Sequence, residues 1–285
     1  MTSRPLPPPA RYFPVKDTPL RMEAGLLRHG TDLGNGAADR LFFQVDDQLE
    51  RYRAAKRATP PARHALLARD DEERAIQAAA LDWLRTTIGR EHPDLLAALG
   101  ARAAAAGFAD LVELVQEDVV VLRRLPDGGS AAIAVHVSIP SGWRPERIHG
   151  ADFGAIHGPV PDFAKHPQAE RSMVDAMVER GPYVRFVWTV SADEHLDHHP
   201  EEGRREPWRP DGPGFLRVER QTTVPLAGHA AAIFLIRVYV YPFTALTAEQ
   251  RATLARALTA MPPRVAAYKG LAGVTDTVLE VLRRA

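Results

Sequence analysis

The sequence predicts an α+β fold: one five-stranded antiparallel sheet with helices packed on it from both ends of the chain. Three observations carry this. Apolar residues recur at helical spacing before residue 116 and again after residue 247. Between these regions the period falls to two in five β-rich runs. Hairpins or long excursions join the runs, and the helices cluster at the chain ends, which disfavours parallel βαβ units. The 285 residues suit a single domain with a mainly helical part (1–116), a sheet core (117–243) and C-terminal helices (244–285).

Residues 1–20 hold six prolines and read as an extended arm laid on the surface. A Gly-rich loop follows at 30–38. From Phe42 to Lys56 the pattern is helical, with Phe43, Leu49 and Tyr52 on one face, and Thr59-Pro60-Pro61 ends it. A second helix spans about Asp70 to Gly89, striped by Ile76, Leu81, Leu84 and Ile88. Its acidic first turn suits the positive end of the helix dipole. A third runs from Asp94 to Ala105, and Gly107 separates a short fourth at 109–115.

Val119–Leu122 and Ala131–Ile139 flank the turn signal Asp127-Gly128-Gly129 and read as a hairpin. In the second strand Ile133, Val135, Val137 and Ile139 point one way. Ala132, Ala134, His136 and Ser138 point the other, a small face against which a helix or a flat ligand can lie. An irregular Gly/Pro segment, His149 to Pro161, comes next, then an amphipathic helix at 164–179 stopped by Gly181-Pro182. Strands follow at Tyr183–Val190, Phe215–Val224 and Ala231–Pro242. The polar stretch Asp193–Gly212 reads as a solvated loop, and the tail is helical with a break at Pro262-Pro263.

Lys plus Arg and Asp plus Glu are both 36, so no global field recruits nucleic acid or an anionic membrane. The absence of cysteine excludes disulfides, iron–sulfur clusters and thiolate chemistry, including a thiolate-held haem. No secretory signal is legible at the N-terminus, and the longest apolar run, 230–236, is too short to span a bilayer. A cytoplasmic protein is the expectation. Gly-x-Gly-x-x-Gly before a helix, Walker and Gly-x-Ser-x-Gly motifs are absent, which leaves nicotinamide and ATP binding without support.

The candidate site residues come from two places. His149 and His157, eight apart in the Gly/Pro segment, each suit a ligand or catalytic role. In strand 215–224, alternation puts Phe215, Arg217, Glu219 and Gln221 on one face and Leu216, Val218, Arg220, Thr222 and Val224 on the other. Arg220 interrupts an apolar face and needs an anion, a dense set of acceptors or a helix carboxylate. Arg217 and Glu219 can pair with each other, and Glu219 is a candidate proton carrier if its face lines a pocket. His195, His198, His199, Glu201 and Glu202 fit no standard zinc spacing. His136, among alanines, reads as a packed histidine.

Several segments together resemble the haem-dependent oxidative N-demethylase family. They are Pro19-Leu20-Arg21-Met22 with Gly25-Leu26, Gln116-Glu117-Asp118-Val119 and Pro140-Ser141-Gly142-Trp143-Arg144-Pro145. Next come Ile156-His157-Gly158-Pro159-Val160-Pro161, Leu216-Arg217-Val218-Glu219-Arg220-Gln221-Thr222 and Tyr268-Lys269-Gly270. The resemblance implies a PAS-like five-stranded sheet carrying haem b, and O2-dependent oxidation of a small amine such as dimethylamine with release of formaldehyde. It implies electrons from a separate flavin and iron–sulfur reductase, in keeping with a chain without Cys or nucleotide loops. It implies His157 as the axial iron ligand; Arg220 and Arg217, in the matching strand segment, are in our own reading the cofactor-binding residues. An imidazole pushes electrons to iron less than a thiolate does, which gives Glu219 and Tyr268 a task as proton donors. One departure stands out: Val187 precedes Trp188 where the family pattern has Asn, so the substrate is expected to differ.

Overall fold

The computed structural model describes residues 10–16, 25–158, 160–161 and 167–285, leaving aside the side chains of 167–169. The motif at residues 19–22 and Pro159 lie outside the described residues.

Among the described residues the sheet has seven antiparallel strands rather than five. In chain order they are β1 (Leu27–Arg28), β2 (His64–Leu66), β3 (Asp118–Arg124), β4 (Ser130–His136), β5 (Tyr183–Ser191), β6 (Phe215–Pro225) and β7 (Ala231–Pro242). Their order across the sheet is β1-β5-β6-β7-β3-β4-β2. The five long strands are the expected ones. The two additions are edge strands of two and three residues, too short to leave a period in the sequence.

The faces differ in how they are covered. Register puts Val119, Val121, Ile233, Leu235, Val224, Arg220, Val218 and Trp188 on one face. This closed face carries both large apolar clusters. Helices α2 (Asp71–Glu91) and α4 (Phe108–Leu114) bring Ile76, Leu84 and Leu111 to the first. Helices α7 (Ala248–Thr259) and α9 (Thr275–Arg284) bring Leu254, Leu258 and Val278 to the second. Helices from both chain ends thus lie side by side on the same face. Asp70 caps α2, its carboxylate accepting from Glu73 N at 2.7 Å.

The other face carries Leu122, Val120, Asp118, Ala232, Phe234, Ile236, Val238, Glu219, Gln221, Arg185 and Val187. Over it lie α5 (Phe153–His157) and α6 (Pro167–Glu179), which pack Phe153, Val174, Met177 and Val178 on Leu122 and Ala232. Tyr52 of α1 (Leu49–Ala58) and Leu196 pack on Ile236 and Val238.

Several expectations are corrected. The described part of the N-terminal arm is not a surface strap: Tyr12 and Val15 are buried, and the Tyr12 hydroxyl donates to Asp39 at 2.8 Å. No helix starts at Phe42. The amides of Phe42 and Phe43 donate to Glu91, that of Gln44 to Glu117 and that of Asp46 to Gln116. Distant side chains thus satisfy donors that a helix would have used. The third helix ends early as α3 (Pro93–Ala97), because Gly100 takes φ +57° and only a 3-10 turn follows. In β4 the two-residue period fails. Val121 pairs with Ala134 and Leu122 with Ala132, so Ile133 bulges. Ile133 joins Ala134 in the closed-face cluster, whereas Val135 and Val137 pack with Ala132 on the other face.

Candidate functional site

The segment before His157 is a capped helical turn rather than irregular backbone. Asp152 accepts from Gly154 N at 2.8 Å and Ala155 N at 3.1 Å and so starts α5. The turn closes on the His157 ring, whose Nδ1–H donates to the Phe153 carbonyl at 2.8 Å. A carbonyl only accepts, so this bond fixes the tautomer with the lone pair on Nε2. The rings of Phe153 and His157 lie 4.0 Å apart. Burial, with Arg185 adding to it, holds the His157 pKa below the ordinary imidazole value, so the ring is neutral. Neutral imidazole with one nitrogen braced on a backbone carbonyl is the form a metal accepts.

The sheet under this ring is built by register. Arg185 pairs with Gln221 and Gln221 with Ile236; Val187 pairs with Glu219 and Glu219 with Val238. All six share a face. Gln221 Nε2 donates to Glu219 Oε2 at 2.8 Å and orients the carboxylate. Phe234, on the same face of the central strand β7, is only half-buried, as are Val187 and Val240, although Ile233 and Leu235 beside Phe234 are 0% and 1% exposed on the other face. Ile156 and Trp143 pack against the same buried cluster as Phe234, around Val120 and Ala132, and are likewise half-buried. Among the described residues, this is apolar surface in mid-sheet that the protein leaves partly uncovered.

Charged and proton-bearing groups gather beside it. Burial lowers the Arg185 pKa, opposed by the Glu219 carboxylate and then Tyr268. Burial raises the phenol of Tyr268, and Glu219 raises it further. Tyr268 ends α8 (Pro263–Tyr268) and is 45% exposed, so it stands where the patch meets solvent. The next residue, Lys269, donates to the Trp188 carbonyl of β5, and burial brings its pKa down to about 8 against the pull of Glu219. Glu219 is thus the shared negative neighbour of Arg185, Tyr268 and Lys269.

The structure brings His157, Glu219 and Tyr268 to this one region through Arg185 and leaves the other predicted residues elsewhere. Arg220 lies on the closed face. It donates to the carbonyls of Leu41 at 3.0 Å and Phe42 at 3.3 Å, acceptors in place of an anion or a helix carboxylate. Arg217 shares the face of Glu219 but does not pair with it. Its guanidinium donates to His195 O at 2.7 Å, Leu196 O at 3.0 Å and Ser141 Oγ at 3.4 Å. His149 is held near the carbonyl of Arg63, before edge strand β2, at 3.4 Å. His136 stacks on His64 across the β2–β4 pair at 3.7 Å, a packed histidine.

The stretch 193–212 is not a plain solvated loop. His198 and His199 are each 2% exposed, bonded to Asp193 at 2.8 Å and to Glu146 at 3.2 Å. Arg63 clamps the loop through Asp197 and Glu202. No group of three or more His, Asp or Glu is placed to hold a metal ion among the described residues. Arg185 and Gln221 were missed as site residues. For Arg185 the signal was available in the alternation Arg185, Val187, Thr189, which carries a lone charge on a neutral face, and for Gln221 in its place on the face of Glu219. Val187 pairs with Glu219 within the patch.

A family model described as haem-dependent oxidative N-demethylase, alpha subunit-like, matches residues 43–279. The match takes in β2 to β7 and every residue of the patch, and the chain belongs to this family.

Proposed function

We propose, with that membership as premise, that this chain is a haem b-dependent oxidoreductase that N-demethylates a small amine with O2. In this reading the porphyrin lies on the uncovered apolar surface between α5 and the tip of α8. The supporting observation is that surface itself: half-buried Phe234 and Val187 on the sheet and Ile156 on α5, beside an imidazole whose lone pair is fixed on Nε2. The residues fit the group. His157 would hold the iron, and the aromatic and aliphatic wall would pack the ring. Bound haem would supply O2 activation and one-electron chemistry.

The chain's own residues would do the rest. Glu219, oriented by Gln221, would hold or release a proton at its carboxylate, and Tyr268 would connect it to solvent. Lys269, tied to β5, would keep Tyr268 in place. Val187 makes the wall next to Glu219 apolar, which suits a substrate with little polar surface beyond its nitrogen. We read residues 1–285 as one domain with a PAS-like core of the five long strands. We further read the protein as cytoplasmic, drawing electrons from a separate flavin and iron–sulfur reductase, because it has neither Cys nor a nucleotide loop. No described helix is long and apolar enough to cross a membrane.

Absorption spectra of protein expressed with haem precursor, oxidised and dithionite-reduced, test the reading. Wild type is expected to show a Soret band that shifts with dimethylamine, and His157→Ala to lose most of its haem. A His157→Ala protein with full haem and an unchanged Soret band would remove the ligand assignment.

A further inference from the structure

We propose that Arg185 is the cation that receives an acidic group of the ligand on this face, a haem propionate if the reading above holds. Three arginines were open to that role, and the structure separates them. Arg220 is on the opposite face of the sheet and already donates to two carbonyls. Arg217 is on the right face but is 1% exposed, with three acceptors of its own. Arg185 is on the right face, half-buried, and differs from both. All three have an Nε that is buried without an acceptor, but only Arg185, among the described residues, has a guanidinium with no hydrogen bond or ion pair at all.

A guanidinium carries five donors, and withdrawing it from water without acceptors is costly. Glu219 is its nearest source of opposite charge, yet that carboxylate is engaged by Gln221 and forms no ion pair with it. The planar fork of Arg185 therefore stands beside an uncovered apolar surface and lacks the carboxylate it is shaped to bind. A ligand with a flat apolar body and an acidic edge satisfies both at once. The side chain belongs to β5, whose pairing with β6 holds it in fixed register with Gln221. The cation is thus built into the wall and needs no loop to close.

The proposal rests on the haem reading, and haem dimethyl ester separates the two because it keeps the ring and iron but lacks both propionate charges. Apoprotein is titrated with haem and with the ester, following the Soret band. Wild type is expected to favour haem by about ten- to a hundredfold, the range of one charge-assisted contact. Arg185→Met should bind the ester as wild type does and lose the preference, and Arg185→Lys should restore part of it. Unchanged ester binding shows that the pocket of the variant is intact. Arg185→Met with the wild-type preference, or a wild type without preference, overturns the assignment and leaves haem binding standing. Uptake of neither ligand by wild type overturns both.

Discussion

Replacing Arg220 with Met asks whether this arginine serves the fold or the ligand. Its guanidinium is 1% exposed and joins the closed face of β6 to the chain at Leu41 and Phe42. A hydrogen bond from a charged donor is worth about 1.5–3 kcal/mol, and the variant loses two. Met keeps the apolar stem and removes a buried charge, which returns part of that loss. A net cost of about 2–4 kcal/mol follows. Unfolding entropy near 2.1 cal/mol/K per residue gives roughly 0.6 kcal/mol/K for this chain, so the melting temperature should fall by about 3–7 °C. Circular dichroism melts of apoprotein measure this, and haem titration at 20 °C measures the other half. The folded variant should take up haem as wild type does. A variant that melts with wild type but fails to take up haem would refute the reasoning, because the guanidinium would then be serving the ligand.

Other outcomes follow from buried groups. Lys56 is buried and donates to the carbonyls of Val112, Val115 and Glu117, so Lys56→Met should cost about 3–5 kcal/mol in urea denaturation. Burial lowers the Lys56 pKa to about 8, so with the wild type the lysine's contribution should improve as pH rises from 8 towards 10.5. The Asp193 pKa is also lowered, but there because its charged form is favoured. Burial raises its pKa, but the bonds from His198 and from the Glu206 and His195 amides outweigh burial and bring it down to about 2. Its stabilisation is present above the ordinary value of 3.8 and is lost as pH falls through 2. Asp193→Asn should therefore remove about 1–2 kcal/mol at pH 7 and flatten the acid limb of a stability profile. A Cβ at Gly203 would run into the backbone of His199 and Asp197, so Gly203→Ala should loosen the 193–212 loop, read as faster amide exchange there.

What the sequence made legible was whatever repeats locally. β6 and β7 are 11 and 12 residues long and β-branched, and α2 carries its own cap and acidic turn. The segment 42–48 has helical spacing, but its amides answer to Glu91, Glu117 and Gln116, partners 48 to 73 positions away. No window of neighbours contains that information. The bulge at Ile133 is likewise a property of two strands, and it scrambles the facing of Ala132 and Ala134. For the site, alternation in β6 correctly set Arg220 apart from Glu219. It could not say which of the two faces would be covered, and on the proposed reading that choice decides which arginine meets a ligand. Arg185 was within reach of the same logic on β5. The polar residues at 193–202 suggested solvent because charge count cannot reveal that Arg63 draws them inward.

The two sides of the sheet divide the labour of folding and loading. Among the described residues, the two largest oily clusters that drive collapse sit behind the strands, under helices drawn from both ends of the chain. An empty chain should therefore be a finished object, stable enough to wait. A haem bound as proposed could arrive last, leave, and be replaced by a synthetic relative without the architecture dissolving.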